Sequence, residues 1–275
     1  MKVSRAFRFL LASLLFASVA ASAAEQTADK PFEPTVGQEG KDVVWVPTPF
    51  ALVEKMLDMA KVTPQDYVMD LGSGDGRNII AAARRGARAL GVEYNPDMVE
   101  LARRNAAKEG VSDKAQFVQG DMYEADISQA NVMALFLLPE NLRRLTSKFL
   151  DLRPGSRIVA NGFGIDGWQA DETGRSDGDC GSWCTWLLYI VPAKVAGTWR
   201  LPQGELTLEQ KFQMVTGTLS SGGRKIPITG GRLRGEQITF VADSAEYIGV
   251  VKGGTMQGSV KGSSSGAWTA NRSDL

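Results

Sequence analysis

The stretch Val68-Met69-Asp70-Leu71-Gly72-Ser73-Gly74-Asp75-Gly76 restricts what this chain can fold into more than any other. An apolar run ends in an acid and then in glycines at alternate positions, and Arg77-Asn78-Ile79-Ile80-Ala81-Ala82-Ala83 follows at helical spacing. That order predicts a buried strand, a tight loop and a helix. Glycine permits positive φ and lacks a Cβ, and a helix start presents free N–H groups, so such a loop lets backbone approach a small ligand closely. Taken alone, the same glycines also fit a purely structural turn. The dinucleotide pattern G-x-G-x-x-G fails because Arg77 stands where the third glycine belongs, and the Lys-Ser/Thr of a phosphate loop is absent.

Around this loop the elements alternate. Thr48 and Pro49 are expected to be the N-cap and first residue of a helix carrying Leu52, Val53, Met56, Leu57 and Ala60. Ala89-Leu90-Gly91-Val92-Glu93 reads as a second strand, closed by an acid. Asn95-Pro96-Asp97 then caps a helix whose Met98, Leu101 and Ala102 face inward. Ala115–Gln119 is a third strand leading into Gly120-Asp121-Met122, and Asn131–Phe136 a fourth, apolar enough to be buried on both faces. Pro139 opens a helix with Leu142, Leu145 and Phe149 on one side, and Arg157–Ala160 is a fifth strand. Over residues 162–182 the pattern breaks, so the next helix is expected to be short or missing before a strand at Thr185–Val191. The fold class is therefore α/β, a Rossmann-like doubly wound parallel sheet with ligands at the carboxyl ends of its strands. From Gly197 onward short strands alternate with Gly and Ser turns, which predicts a small antiparallel β domain, a meander or small open barrel, over 196–275. No catalytic constellation is visible in it.

Composition narrows the chemistry. The chain has no histidine, which excludes Ser-His-Asp and Cys-His catalysis, His-containing zinc sites and histidine general bases. Its 31 Lys+Arg balance 31 Asp+Glu, so the basic excess expected of a nucleic-acid partner is absent. Lys2, Arg5 and Arg8 precede an apolar run from Phe9 to Ala21 that closes on Ala21-Ser22-Ala23-Ala24. This predicts a signal peptide over residues 1–24 and an exported, periplasmic protein with no membrane span after cleavage. An uncleaved anchor is the other reading, although the run falls short of the roughly 20 residues of a comfortable span. Residues 25–42 read as a flexible lead-in. In an oxidising compartment Cys180 and Cys184 are either a disulfide closing a small loop or two separate thiols.

The motif Asp70-Leu71-Gly72-Ser73-Gly74-Asp75-Gly76 resembles motif I of the class I S-adenosylmethionine-dependent methyltransferases. Val46-Pro47-Thr48-Pro49, Leu137-Leu138-Pro139-Glu140 and Leu152-Arg153-Pro154-Gly155 extend the resemblance, from roughly Trp45 to Val191. They are similar to the bacterial relatives of the small ATP-synthase c-subunit and archaeal protein-lysine methyltransferases. The resemblance implies a methyltransferase domain at 43–195, S-adenosylmethionine as cofactor, and a protein or small-molecule amine, such as a protein lysine, as acceptor. It assigns the cofactor's amino-acid part to Asp70, Gly72, Ser73 and Gly74. The ribose hydroxyls fall to Glu93 with Tyr94 beside it, and the adenine to Asp121 with Met122. Asp70 either approaches the cofactor's ammonium or braces the loop. Thr48, Phe136, Leu137, Pro139 and Glu140 are candidates for the acceptor channel, and ordinary core or helix-start roles are their alternatives. Leu137-Leu138-Pro139-Glu140 lacks the Asn/Asp-Pro-Pro-Tyr pattern of base methyltransferases. An exported, non-catalytic cofactor-binding module is the rival function.

Overall fold

The computed structural model describes residues 31–176, 183–262 and 265–273; the predicted leader and Cys180 lie outside them. Residues 32–275 form one compact unit. Its first half carries α1 (Phe50–Met59), β1 (Tyr67–Leu71), α2 (Arg77–Arg84), β2 (Arg88–Glu93), α3 (Pro96–Lys108), β3 (Ala115–Gln119), β4 (Val132–Leu135) and α4 (Pro139–Leu150). β5 (Arg157–Asn161), β6 (Glu172–Arg175) and β7 (Thr185–Ile190) complete it. These strands make one sheet in the order β3-β2-β1-β4-β5-β7-β6. β1 to β5 run parallel, and β7 and β6 are antiparallel additions.

Alternation along the strands splits the core into two layers. Val68, Val132 and Ala134 face α1, α2 and α3, whereas Met69, Leu71, Met133 and Leu135 face Leu142, Leu145 and Phe149 of α4. Two local expectations need correction. α1 starts at Phe50 with Pro49 as its N-cap and no side-chain cap, because the Thr48 side chain is drawn inward to Asn161. In α3 the residues that bury are Met98, Val99, Ala102 and Ala106, while Leu101 lies only half-buried at the edge of the inward stripe. Among the described residues no helix is long and apolar enough to cross a membrane.

The second half is all β: β8 (Gly197–Leu201), β9 (Gly204–Lys211), β10 (Met214–Ser221), β11 (Arg224–Pro227) and β12 (Thr229–Arg234) come first. β13 (Gln237–Ala242), β14 (Ala245–Lys252), β15 (Thr255–Gly262) and β16 (Gly266–Arg272) follow. The meander is antiparallel throughout, and pairing of β10 with β9 and of β8 with β16 closes it into a barrel, with β11 attached to β10. Trp199, Phe240, Tyr247 and Trp268 fill its interior, Phe240 stacking on Tyr247 at 4.7 Å, as expected of a small barrel.

Among the described residues after β5 a docking segment stands where the alternation would place the next helix. Trp168 stacks on Phe212 of the β9–β10 turn at 5.3 Å, and the buried Gln213 donates to the Gln169 carbonyl. Asp171 has a side chain 0% exposed; it accepts from Arg232 of the barrel at 3.0 Å and from the Ile190 backbone N–H at 2.8 Å. Asp171→Ala removes both bonds and leaves the part-buried Ile190 N–H without its acceptor. It is expected to lower unfolding free energy by about 2 kcal/mol in denaturant titration.

Candidate functional site

The sheet order reverses between β1 and β4, and a crevice opens there at the carboxyl ends of the strands, as doubly wound sheets require of a ligand site. It encloses about 670 Å³ of empty space including its open mouth, and the Gly72–Asp75 loop forms its floor. The loop adopts positive φ at Gly72, Gly74 and Gly76 (71°, 55° and 85°) and folds back so that the N–H groups of Gly72 and Ser73 donate to the Val92 carbonyl. A Cβ on Gly74 would lie 2.7 Å from the Trp45 indole nitrogen, and one on Gly76 would lie 2.6 Å from Phe117. These contacts hold the loop flat against its neighbours.

Acids surround the loop. Asp70 is buried near the end of β1; its Oδ2 accepts from Asn78 Nδ2 at 3.0 Å, and its Oδ1 has no partner among the described residues. Burial pushes the Asp70 carboxyl well above the usual carboxylate range, with the Asn78 hydrogen bond opposing and the Glu93 charge adding to the rise. Glu93 accepts from the Gly74 N–H at 2.9 Å and from the Asn95 N–H at 3.0 Å, so it ties the loop to the start of α3. Asp75 grips the Arg77 guanidinium, which also donates to the Thr48 carbonyl.

The end of the predicted lead-in folds as a hairpin over the crevice. Gly37 and Trp45 pair through Gly37 N–H to Trp45 carbonyl and Trp45 N–H to Gln38 carbonyl, and Glu39 bridges Val44. At its tip the Lys41 ammonium reaches Asp121 at 2.8 Å and Asp42 at 2.7 Å, and lies 5.3 Å from the Tyr94 ring and 5.8 Å from that of Tyr123. Those carboxylates raise the Lys41 pKa, and Lys41 in turn lowers that of Asp121, helped by the Tyr123 N–H.

Of the residues singled out in the sequence, Asp70, Gly72, Ser73, Gly74 and Glu93 line the crevice together with Thr48, Phe136 and Leu137. Tyr94 is exposed, Asp121 faces Lys41, and Met122 is buried in the core layer against α4; none of the three lines it. Pro139 and Glu140 are exposed at the first turn of α4, and Glu140 is held by Arg143, which lowers its pKa. Cys184 is disulfide-bonded. The residues that sequence reasoning passed over are Trp45, Lys41, Asn78 and Asn161. Asn78 alone carried a signal, as a polar residue on the inward face of an otherwise apolar helix.

Comparison with known proteins bears on what this crevice holds. Residues 70–172 match the model of the ANTKMT methyltransferase domain, which ends ahead of the barrel. A protein-lysine N-methyltransferase of Saccharolobus islandicus (strain REY15A) is 41% identical over 153 residues, which cover 54% of this chain and 94% of that protein. The chain belongs to the class I S-adenosylmethionine-dependent methyltransferases. The adenine nucleotide translocase lysine N-methyltransferase of Mus musculus is 36% identical over 119 residues, spanning 42% of this methyltransferase and 52% of the mouse protein. A crystal structure described as an RNA methyltransferase from Salinibacter ruber in complex with S-adenosyl-L-homocysteine is 43% identical. It superposes with a TM-score of 0.52 and covers 55% of this chain and 96% of that one. The cofactor of this methyltransferase is S-adenosylmethionine.

The raised Asp70 pKa has a thermodynamic consequence. The folded state binds the proton more tightly than the unfolded state, so stability is lost as pH rises from the ordinary carboxylate pKa of about 3.9 through the folded value. Asp70→Asn keeps the hydrogen bond to Asn78 without the charge. Thermal unfolding of the cofactor-free protein is therefore expected to show a melting advantage for Asp70→Asn that is absent in acid and grows toward neutral pH.

Proposed function

We propose that this methyltransferase transfers a methyl group to an amine, most directly a protein lysine side chain, with its cofactor held in the crevice between β1 and β4. The observation that carries this reading is the charge of the crevice. Glu39 and Glu93 line it, the Arg77 guanidinium that also lines it is committed to Asp75 and the Thr48 carbonyl, and the buried Asp70 adds an acceptor. An anionic cleft attracts a cationic cofactor and an alkylammonium and repels a phosphate backbone. The formally neutral chain and the relatives described as lysine methyltransferases support the same acceptor.

Bound S-adenosylmethionine supplies a methyl group on a positively charged sulfonium. The chain's own residues bind, orient and exclude water. Asp70 Oδ1, buried and unpartnered, suits the cofactor's ammonium. Each oxygen of Glu93 accepts one backbone N–H and has lone pairs left for two vicinal hydroxyls. Tyr94 stands beside Glu93 in sequence, and Asp121, followed by Met122, serves the adenine end, where an incoming amino group takes the place of Lys41. The leader over residues 1–24 directs the protein out of the cytoplasm, so its acceptor is a periplasmic or membrane-associated protein.

Two measurements test this. Calorimetry of the mature protein with S-adenosylmethionine is expected to show binding that Glu93→Ala weakens by at least about 1 kcal/mol. Incubation with methyl-labelled cofactor and periplasmic or membrane extract is expected to place label on lysine nitrogen. Label confined to RNA, to carboxylates or to hydroxyl groups overturns the amine assignment.

A further inference from the structure

Asn161, the last residue of β5, is 0% exposed, and its Oδ1 has no partner among the described residues. Its neighbours in the strand are the apolar Ile158, Val159 and Ala160, so an apolar side chain would pack there at lower cost. The contact its side chain makes is from Nδ2 to Thr48 Oγ1 at 3.4 Å. Thr48 is itself buried, lines the crevice, and is fixed a second time through its carbonyl by Arg77. A hydroxyl that accepts one bond from Asn161 retains a second lone pair.

Beside this pair stands an aromatic wall. Phe136 follows β4 and lines the crevice, Phe163 follows β5, and Trp183 precedes β7. Their ring centroids lie 5.6 Å (Phe136–Trp183), 4.9 Å (Phe163–Trp183) and 6.4 Å (Phe136–Phe163) apart. A Cβ on Gly162 would lie 3.0 Å from the Trp183 ring, so the glycine lets the indole come in close. Three chain segments thus bring half-buried rings together at one end of the sheet, with Phe136 on the wall of the cleft and Phe163 and Trp183 packed against it.

We infer that the carboxyl ends of β4 and β5 form the seat of the acceptor, built for an alkylammonium group on a flexible aliphatic stem. Thr48 Oγ1 accepts an N–H of the amine, Asn161 is the positioning residue that fixes that hydroxyl, and Phe136, Phe163 and Trp183 form the wall for the stem and its cationic head. Ring faces attract ammonium and methylammonium groups and give nothing comparable to a carboxylate or phosphate. The inference rests on the amine assignment above.

The test uses the mature protein with two probes, N-acetyl-lysine methylamide and its trimethylated form, read by saturation-transfer NMR, together with label transfer to the lysine acceptor. Phe163→Ala and Trp183→Ala are expected to weaken probe binding and raise KM for the acceptor by about fivefold or more. S-adenosylmethionine affinity by calorimetry stays within twofold in both, and Trp183→Phe regains most of the loss. Thr48→Val and Asn161→Val are expected to lower kcat for the amine by about tenfold with KM for the cofactor unchanged, and Thr48→Ser to restore it. Variants that leave probe binding, acceptor KM and kcat as in the wild type, while the wild type methylates lysine, overturn the seat and spare the amine assignment. Cofactor affinity falling in step with acceptor binding makes the wall structural and also overturns it. A wild type that neither binds the probes nor labels any amine overturns both.

Discussion

Close approach of backbone to side chain at the glycine loop is the constraint on which the crevice depends. At Gly74 and Gly76 a single added carbon would overlap the Trp45 and Phe117 rings, and at Gly91 on the next strand it would overlap the Ser73 side chain. Because these positions are bare, the loop lies flat on the end of β2 and α2 begins at once. The first turn of that helix then sets Asn78 against Asp70, while the loop's Gly74 N–H reaches Glu93. A bulkier residue at any of the three would move the helix start, the acid pair and the indole together. The shape of the site and the placement of its charges therefore share one cause.

That placement is costly to the fold. A carboxyl buried as Asp70 is, with one oxygen unpaired, opposes folding once it ionises, and the neighbouring Glu93 charge makes ionisation harder still. Packing elsewhere offsets this. The two core layers are built almost wholly from Leu, Ile, Val, Met, Phe and Ala on alternate strand positions. Of the buried polar atoms left unpaired among the described residues, those of Asp70, Ser73, Asn78 and Asn161 lie at the carboxyl ends of β1 and β5 or in the loop and helix start that follow β1.

What the sequence disclosed and what it hid divide along the range of the interactions. The β1–loop–α2 unit, the Asn95 cap and the Pro139 helix start were legible because each is decided by residues a few positions apart. Thr48 was misread as a cap because its real partner, Asn161, is 113 positions away. The hairpin through Trp45 was hidden for the same reason: its segment is polar, with proline and glycine, and it is held by distant contacts such as Lys41 to Asp121, 80 positions on. In the β region the strands were visible from their alternation. Closure of the barrel was not, since it depends on β8 finding β16 across the length of the meander.

The turn between β9 and β10 covers the segment that follows β5. Phe212 stands there at φ 53°, a left-handed conformation that a bulky residue adopts only under compulsion, and its ring covers Trp168 in the segment after β5. The first sheet thus borrows part of its cover from a residue far along the chain, and the barrel takes Gly235, Arg232 and Arg234 contacts in return. A change of composition near residue 196 marks a seam in the text of the chain but not in its cohesion. Cutting there would uncover the Trp168 indole and break the Asp171–Arg232 and Glu172–Arg234 ion pairs at once, so in this chain the first sheet depends on the barrel for part of its cover.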